Sequence, residues 1–152
     1  MKKLILSFAL CAALLPVHAR ESARASMPLA QRVVTAAQVN GTWRSGSNEF
    51  RIWALGQQRL QVKFYGSYEY RTPRGEPTAN VGEGSGIARI KGDTATFRPE
   101  GVEDDCSITM RFTRGRLVVT QEGICGFGHK VSADGTYHRT SARRPRFGET
   151  SN

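Results

Sequence analysis

The chain is short of the residues that most reactions need. Its 152 residues include three cysteines, three histidines and 13 acids, against 22 lysines and arginines. His129 and His138 lie in no H-E-x-x-H or H-x-E…C-x-x-C context, and no serine lies in G-x-S-x-G. The usual metal-hydrolase, deaminase and serine-nucleophile patterns are therefore missing. The cysteines form no C-x-x-C pair and no Cys/His cluster, which argues against a metal knuckle or a redox dithiol. No apolar run reaches the ~20 residues of a membrane-spanning helix, so no transmembrane segment is expected. No stretch shows the spacing of a long amphipathic helix.

What is present begins with a segment built like a secretory signal. Lys2 and Lys3 precede an apolar run over residues 4–15, and Val17-His18-Ala19 has the small-residue pattern of a cleavage site. Residues 1–19 are read as a signal peptide cleaved after Ala19, which makes the protein periplasmic or secreted. Cys11 follows Leu10, where a lipoprotein signal carries a small residue, so it goes with the discarded segment. Removing Lys2 and Lys3 lowers the formal charge from +9 to +7. A basic domain of this size is drawn to anionic surfaces.

The rest reads as one domain. Residues 20–38 are an N-terminal segment: residues 20–32 are polar and read as poorly ordered, a short helix over Leu29–Gln38 is expected to cover one end of the barrel, and Thr35 is a candidate N-cap for a turn through Val39. Strand patterns follow. Phe50, Ile52 and Ala54 alternate with Glu49, Arg51 and Trp53; Leu60, Val62 and Phe64 alternate with Arg59, Gln61 and Lys63. A period of two marks a strand with one buried and one wet face. Cys106, Ile108, Met110 and Phe112 repeat the pattern, followed by Leu117 and Val119, a short strand at Val131 and Ala133, and a last one over residues 136–139. About eight short strands joined by tight turns predict an all-β fold: an antiparallel meander barrel over residues 39–139, with one disulfide and a short N-terminal helix. Residues 140–152 carry Arg143, Arg144 and Arg146 without periodicity and read as a basic, disordered tail.

Two features stand out. With Cys11 removed, Cys106 and Cys125 have only each other, and an oxidising compartment makes a disulfide their expected state. Closing a loop of about 20 residues contributes about 3 kcal/mol on the chain-entropy model. Gly82, Gly84 and Gly86 recur at a spacing of two, so all three share a face of one strand. The bland reading is that a large residue such as Trp43 or Phe50 packs over them; the sharper one is close approach of a ligand or of another backbone.

The motif Gly41-x-Trp43 at the first strand, followed by successive hairpins, resembles the calycin group, which includes lipocalins and avidins. The pattern Asp105-Cys106-x-Ile108-x-x-x-Phe112, Gly123-x-Cys125-Gly126 and Gly135-x-Tyr137-x-Arg139 is similar to small exported bacterial β-barrel proteins in which such cysteines are expected to pair. The resemblance implies the fold and the compartment. Some small periplasmic barrels of this kind inhibit lysozyme, but no inhibitor motif transfers residue by residue.

The functional expectation is a non-enzymatic exported binding protein, an inhibitor of a cell-wall hydrolase or of another secreted enzyme. The alternatives are a carrier of a small apolar ligand inside the barrel and a structural envelope protein. Arg51, Trp53, Lys63, Tyr65, Tyr68 and Tyr70 are read as an aromatic and basic binding face, with Gly82, Gly84 and Gly86 beside it. Glu49, Glu69, Glu83 and Asp93 are the acids from which a glycosidase pair would be drawn. The partner is expected to be a secreted or envelope protein, or an anionic glycan or lipid surface. Nucleic acid, metal and cofactor are not expected, and the chain is taken as a monomer.

Overall fold

The computed structural model describes residues 33–102 and 105–148. The expected signal peptide and cleavage site (residues 1–19), residues 20–32 and the acids Glu103 and Asp104 lie outside them. One turn of helix, α1 (Ala36–Val39), precedes eight strands: β1 (Gly41–Ser45), β2 (Asn48–Gly56), β3 (Arg59–Arg71), β4 (Pro77–Lys91), β5 (Thr94–Phe97), β6 (Ser107–Thr113), β7 (Arg116–Glu122) and β8 (Gly135–Ser141). Each strand pairs antiparallel with the next, and β8 returns to β1, which closes the barrel. Closure leaves no edge around the ring, since every strand finds a partner on both sides. No helix among the described residues is long and apolar enough to cross a membrane.

Alternation in the strands becomes inside and outside. Phe50, Ile52, Leu60, Val62, Phe64, Ile108 and Met110 are at most 2% exposed. They touch one another rather than line a space. The Phe50 ring lies 4.9 Å from Phe64 and 5.0 Å from Tyr137, and Trp43 lies 6.0 Å from Phe112. The interior is filled by side chains.

The two ends are closed differently. At the first, Thr35 caps α1: its N–H donates to Gln38 Oε1 at 2.8 Å, and the turn packs Val39 under Trp43, whose Nε1 donates to Val39 O at 3.0 Å. Arg139, at the far end of β8, lies over the Trp43 ring at 5.6 Å. Thr35 caps a turn through Val39 as expected, but the helix is that single turn: residues 33–35 are not helical, and the rest of the expected Leu29–Gln38 helix lies outside the described residues. At the second end, loop 123–134 folds across the opening. The Cys106–Cys125 disulfide anchors it beside the start of β6, and Phe127 enters the barrel to pack at a tilt against Phe64, ring centres 4.6 Å apart. Val131 and Ala133 are buried in this loop but form no strand. Gln121, Ser132 and Asp134 supply local hydrogen bonds instead.

The glycine stripe belongs to this closure. Gly82 and Gly84 lie on the inner face of β4. A Cβ on Gly82 would fall on the carbonyl oxygen of Phe127 and 2.6 Å from its Cβ; one on Gly84 would meet Phe127 Cε1 at 2.8 Å and Pro99 Cβ at 3.0 Å. The residues that pack over the stripe are Phe127 and Pro99, not Trp43 or Phe50. Trp43 is committed to the opposite end, and Phe50 to Phe64 and Tyr137.

The tail is also a correction. β8 runs to Ser141, and residues 142–148 lie along the outer wall rather than hanging free. Arg51 Nη1 donates to Arg146 O at 3.1 Å, Arg144 sits 5.4 Å over the Trp53 ring, and Phe147 lies with Gln61 and Ile87. Lack of periodicity marks lack of a strand; it does not preclude a strap held by one stacked cation and a backbone bond.

Candidate functional site

A concave feature lined mainly by charged side chains lies on the outside of the barrel, on the wet faces of β1 to β4. The register brings its residues together. Arg44 is opposite Glu49; Glu49 is opposite Tyr65, and Tyr65 opposite Glu83; Arg51 is opposite Lys63. Arg44, Glu49, Arg51, Lys63, Tyr65 and Glu83 line a basin of about 380 Å³.

Its charges are organised around Glu49, the one charged residue among the described residues that is buried, at 8% exposure. One oxygen accepts from Arg44, with Nη2 at 2.6 Å and Nε at 2.7 Å. The other accepts from Arg51 Nε at 2.6 Å. A buried carboxylate needs such partners, and the two guanidinium groups satisfy both oxygens. Beyond them, Lys63 Nζ lies 3.3 Å from Glu83 Oε2, with the lysine side chain only 12% exposed. Three cations and two carboxylates thus share one concavity. Arg44, 61% exposed, is its outermost charge. Held groups of this kind bind by complementarity without first being ordered.

The predicted binding face is only partly assembled. Arg51, Trp53, Lys63 and Tyr65 do lie on one outer face, with Trp53 under the Arg144 guanidinium. Tyr68 and Tyr70 do not join them. The strand β3 continues through Gly66 without a shift in register, so even-numbered residues stay on the inward side. The two tyrosines, 37% and 42% exposed, therefore stand on the opposite face, above the rim of the barrel. Their rings lie 6.3 Å apart, with Lys130 Nζ 5.1 Å from the Tyr68 ring centre. Arg71, Asn80 and His129 complete that rim cluster. Gly82, Gly84 and Gly86 join neither cluster: the space over Gly82 and Gly84 is taken by Phe127 and Pro99, and Gly86 lies against Arg98 O and Glu100.

Several features of the basin are invisible to sequence reasoning. Glu49 stands at a strand position like any other outward acid, and its role depends on Arg44 across one hairpin. Glu83 depends on β4 lying beside β3. Strand parity separates Tyr65 from Tyr68 and is the available signal for dividing the aromatic face. Among the described residues no three His, Cys, Asp or Glu side chains converge as a metal group.

Burial shifts the ionisation of Tyr137. Tyr137, inside the barrel, donates its hydroxyl to Ala133 O at 2.8 Å. Loss of solvent raises its pKa well above the usual phenol value; the nearby Asp134 charge adds to this, and a hydrogen bond with Asn48 opposes it.

The chain matches no family model, no curated protein and no solved structure.

Proposed function

We propose that this is an exported, non-enzymatic binding protein of the calycin-like kind, which engages a macromolecular partner through the basin on β1 to β4. The observation that carries this reading is the buried Glu49 clamped between Arg44 and Arg51 on the outer wall, beside Lys63 and Glu83. A filled interior favours an outside surface over a cavity as the place of binding. The disulfide supports export, since such bonds persist in oxidising compartments. Glu49 and Glu83, drawn together as a glycosidase pair would be, suit that chemistry poorly. A general acid must present a proton to its substrate, and both oxygens of Glu49 accept from arginine.

The partner chemistry that fits is an anionic group, a carboxylate above all, meeting Arg44 and Arg51 in bidentate fashion. Secreted cell-wall hydrolases, whose active sites are lined by carboxylates, are the class we assign as target, which makes the protein an inhibitor. The test is a titration of lysozymes and amidases with the mature chain. Stoichiometric loss of activity is expected, weakened about tenfold or more by Arg44→Ala, since a charged hydrogen bond contributes about 1.5–3 kcal/mol. If the protein neither binds nor slows any enzyme of the panel, inhibition is excluded.

A further inference from the structure

The hairpin β3–β4 runs past the rim of the barrel, and one of its edges has no strand beside it. β2 accompanies β3 only as far as Tyr65, whereas β3 continues to Arg71. Three observations give the direction of the backbone groups beyond Tyr65. Thr72 N–H donates to Glu76 O across the hairpin at 2.9 Å, so even-numbered residues turn their N–H and C=O toward β4 and odd-numbered ones away. Pro77, which has no N–H, sits opposite Arg71, as an outward-facing pair permits. Ser67 C=O accepts from Ser47 Oγ on the side away from β4, at 2.7 Å. The N–H and C=O of Glu69 and Arg71 therefore face the open edge, and residues 68–71 are all exposed. On the β4 side, β5 pairs only with Arg89–Lys91; beyond it Glu100 N–H donates to Ser85 O at 2.8 Å, and Pro77, with no N–H to offer, blunts that edge near the tip.

Proteins commonly protect such an edge with charges that repel a second copy. Here the charges alternate, Glu69 and then Arg71. We propose that this edge pairs with the same edge of a second copy of this chain, antiparallel about a two-fold axis at Tyr70. A two-fold axis at Glu69 would set Glu69 against Glu69, and one at Arg71 would set Arg71 against Arg71. Like charges directly opposite are destabilising. The axis at Tyr70 sets Glu69 of each copy opposite Arg71 of the other. Both are outward-facing residues, so each couple exchanges N–H···O bonds and adds a cross-strand ion pair. Tyr70 then meets its own counterpart in the closer, non-hydrogen-bonded position. The arrangement is isologous, the commonest symmetry of soluble oligomers. So short an edge buries little, below the ~1,200 Å² of standard interfaces, so the dimer is reversible and fills as concentration rises. The surface is separate from the basin of the proposed binding function, so either proposal can fail without the other. The monomer expected from sequence becomes the dilute state.

The test is sedimentation velocity on the mature chain from micromolar to millimolar concentration, with Glu69→Arg and Arg71→Glu measured singly and mixed. Both positions are exposed, and far-UV circular dichroism checks that each variant folds. The wild type is expected to shift toward dimer with concentration. Each single variant places like charges at both couples and is expected to weaken dimerisation about tenfold or more. An equimolar mixture restores unlike charges at both couples, and the dimer returns. A wild type that stays monomeric throughout overturns the proposal, including one whose edge instead takes a peptide from another protein. A dimer indifferent to the single substitutions, or a mixture that does not recover, overturns it equally.

Discussion

Gly82 and Gly84 occupy neighbouring places on one face of β4, yet their substitution is expected to fail for different reasons. At Gly82 a new Cβ meets the backbone carbonyl of Phe127; at Gly84 it meets the end of the Phe127 ring. Gly82→Ala should cost about 1–3 kcal/mol by overpacking, with no relief in a Phe127→Ala background, because the clashing carbonyl remains. Gly84→Ala should cost a similar amount alone and clearly less in that background, since contacting residues are not additive. Urea denaturation of the two double-mutant cycles distinguishes these outcomes. Tyr137 offers a second test. The folded chain keeps a phenol proton that the unfolded chain releases near the ordinary phenol value of 10.0. Its stabilising contribution is therefore complete below that pH and declines as pH rises above it. Tyr137→Phe should lower stability by about 1–3 kcal/mol at neutral pH, because Ala133 C=O loses its partner. It should also flatten the fall in stability above about pH 10. A urea midpoint followed against pH reads both effects.

The loop 123–134 connects the disulfide to the core. Cys125 anchors one side of it, Asn48 Nδ2 donates to Ser132 O at 2.8 Å on the other, and Phe127 fills the barrel end between them. Replacing both Cys106 and Cys125 with alanine should cost about 2–5 kcal/mol. Hydrogen exchange should show the loop losing protection before β6 and β7, because they remain paired from Ser107 to Thr113. Uniform loss of protection across the barrel would show that the staple holds the whole fold rather than this closure. The alternation in β2, β3 and β6 is readable because each inner position is apolar and most outer ones are polar. The loop is not. Val131 and Ala133 look like strand residues, but they are buried by lying over a barrel mouth, and local sequence carries no trace of that mouth.

For the molecule as a whole, the tail is the clearest case of an element defined only by its contacts. Deleting residues 142–152 removes Arg144 from Trp53 and the Arg146 carbonyl from Arg51. Such surface contacts contribute little, so stability should fall by less than about 1 kcal/mol. Tryptophan emission should shift to the red through Trp53, since Trp43 is 1% exposed and its Nε1 is held by Val39 O. An unchanged spectrum would mean that the strap does not cover Trp53 in solution. The deletion also uncovers one margin of the basin, so it should leave the affinity of a basin-binding partner unchanged or raise it.

Sequence alone determined the fold class, a count of about eight strands, the Thr35-capped turn and the pairing of Cys106 with Cys125. These follow from periodicity, turn residues and the small number of cysteines, all of which are local or are matters of counting. The tertiary structure decided which distant residues meet. Glu49 acquires its clamp because β1 folds back on β2, and Lys63 finds Glu83 because β4 lies beside β3. Tyr65 and Tyr68 part company because an unbroken strand keeps its parity through Gly66. The glycine stripe receives Phe127, from more than forty positions away, only because a disulfide-tied loop closes the barrel over it. Cross-strand partnership is set by register and closure, which belong to the whole chain rather than to any stretch of it.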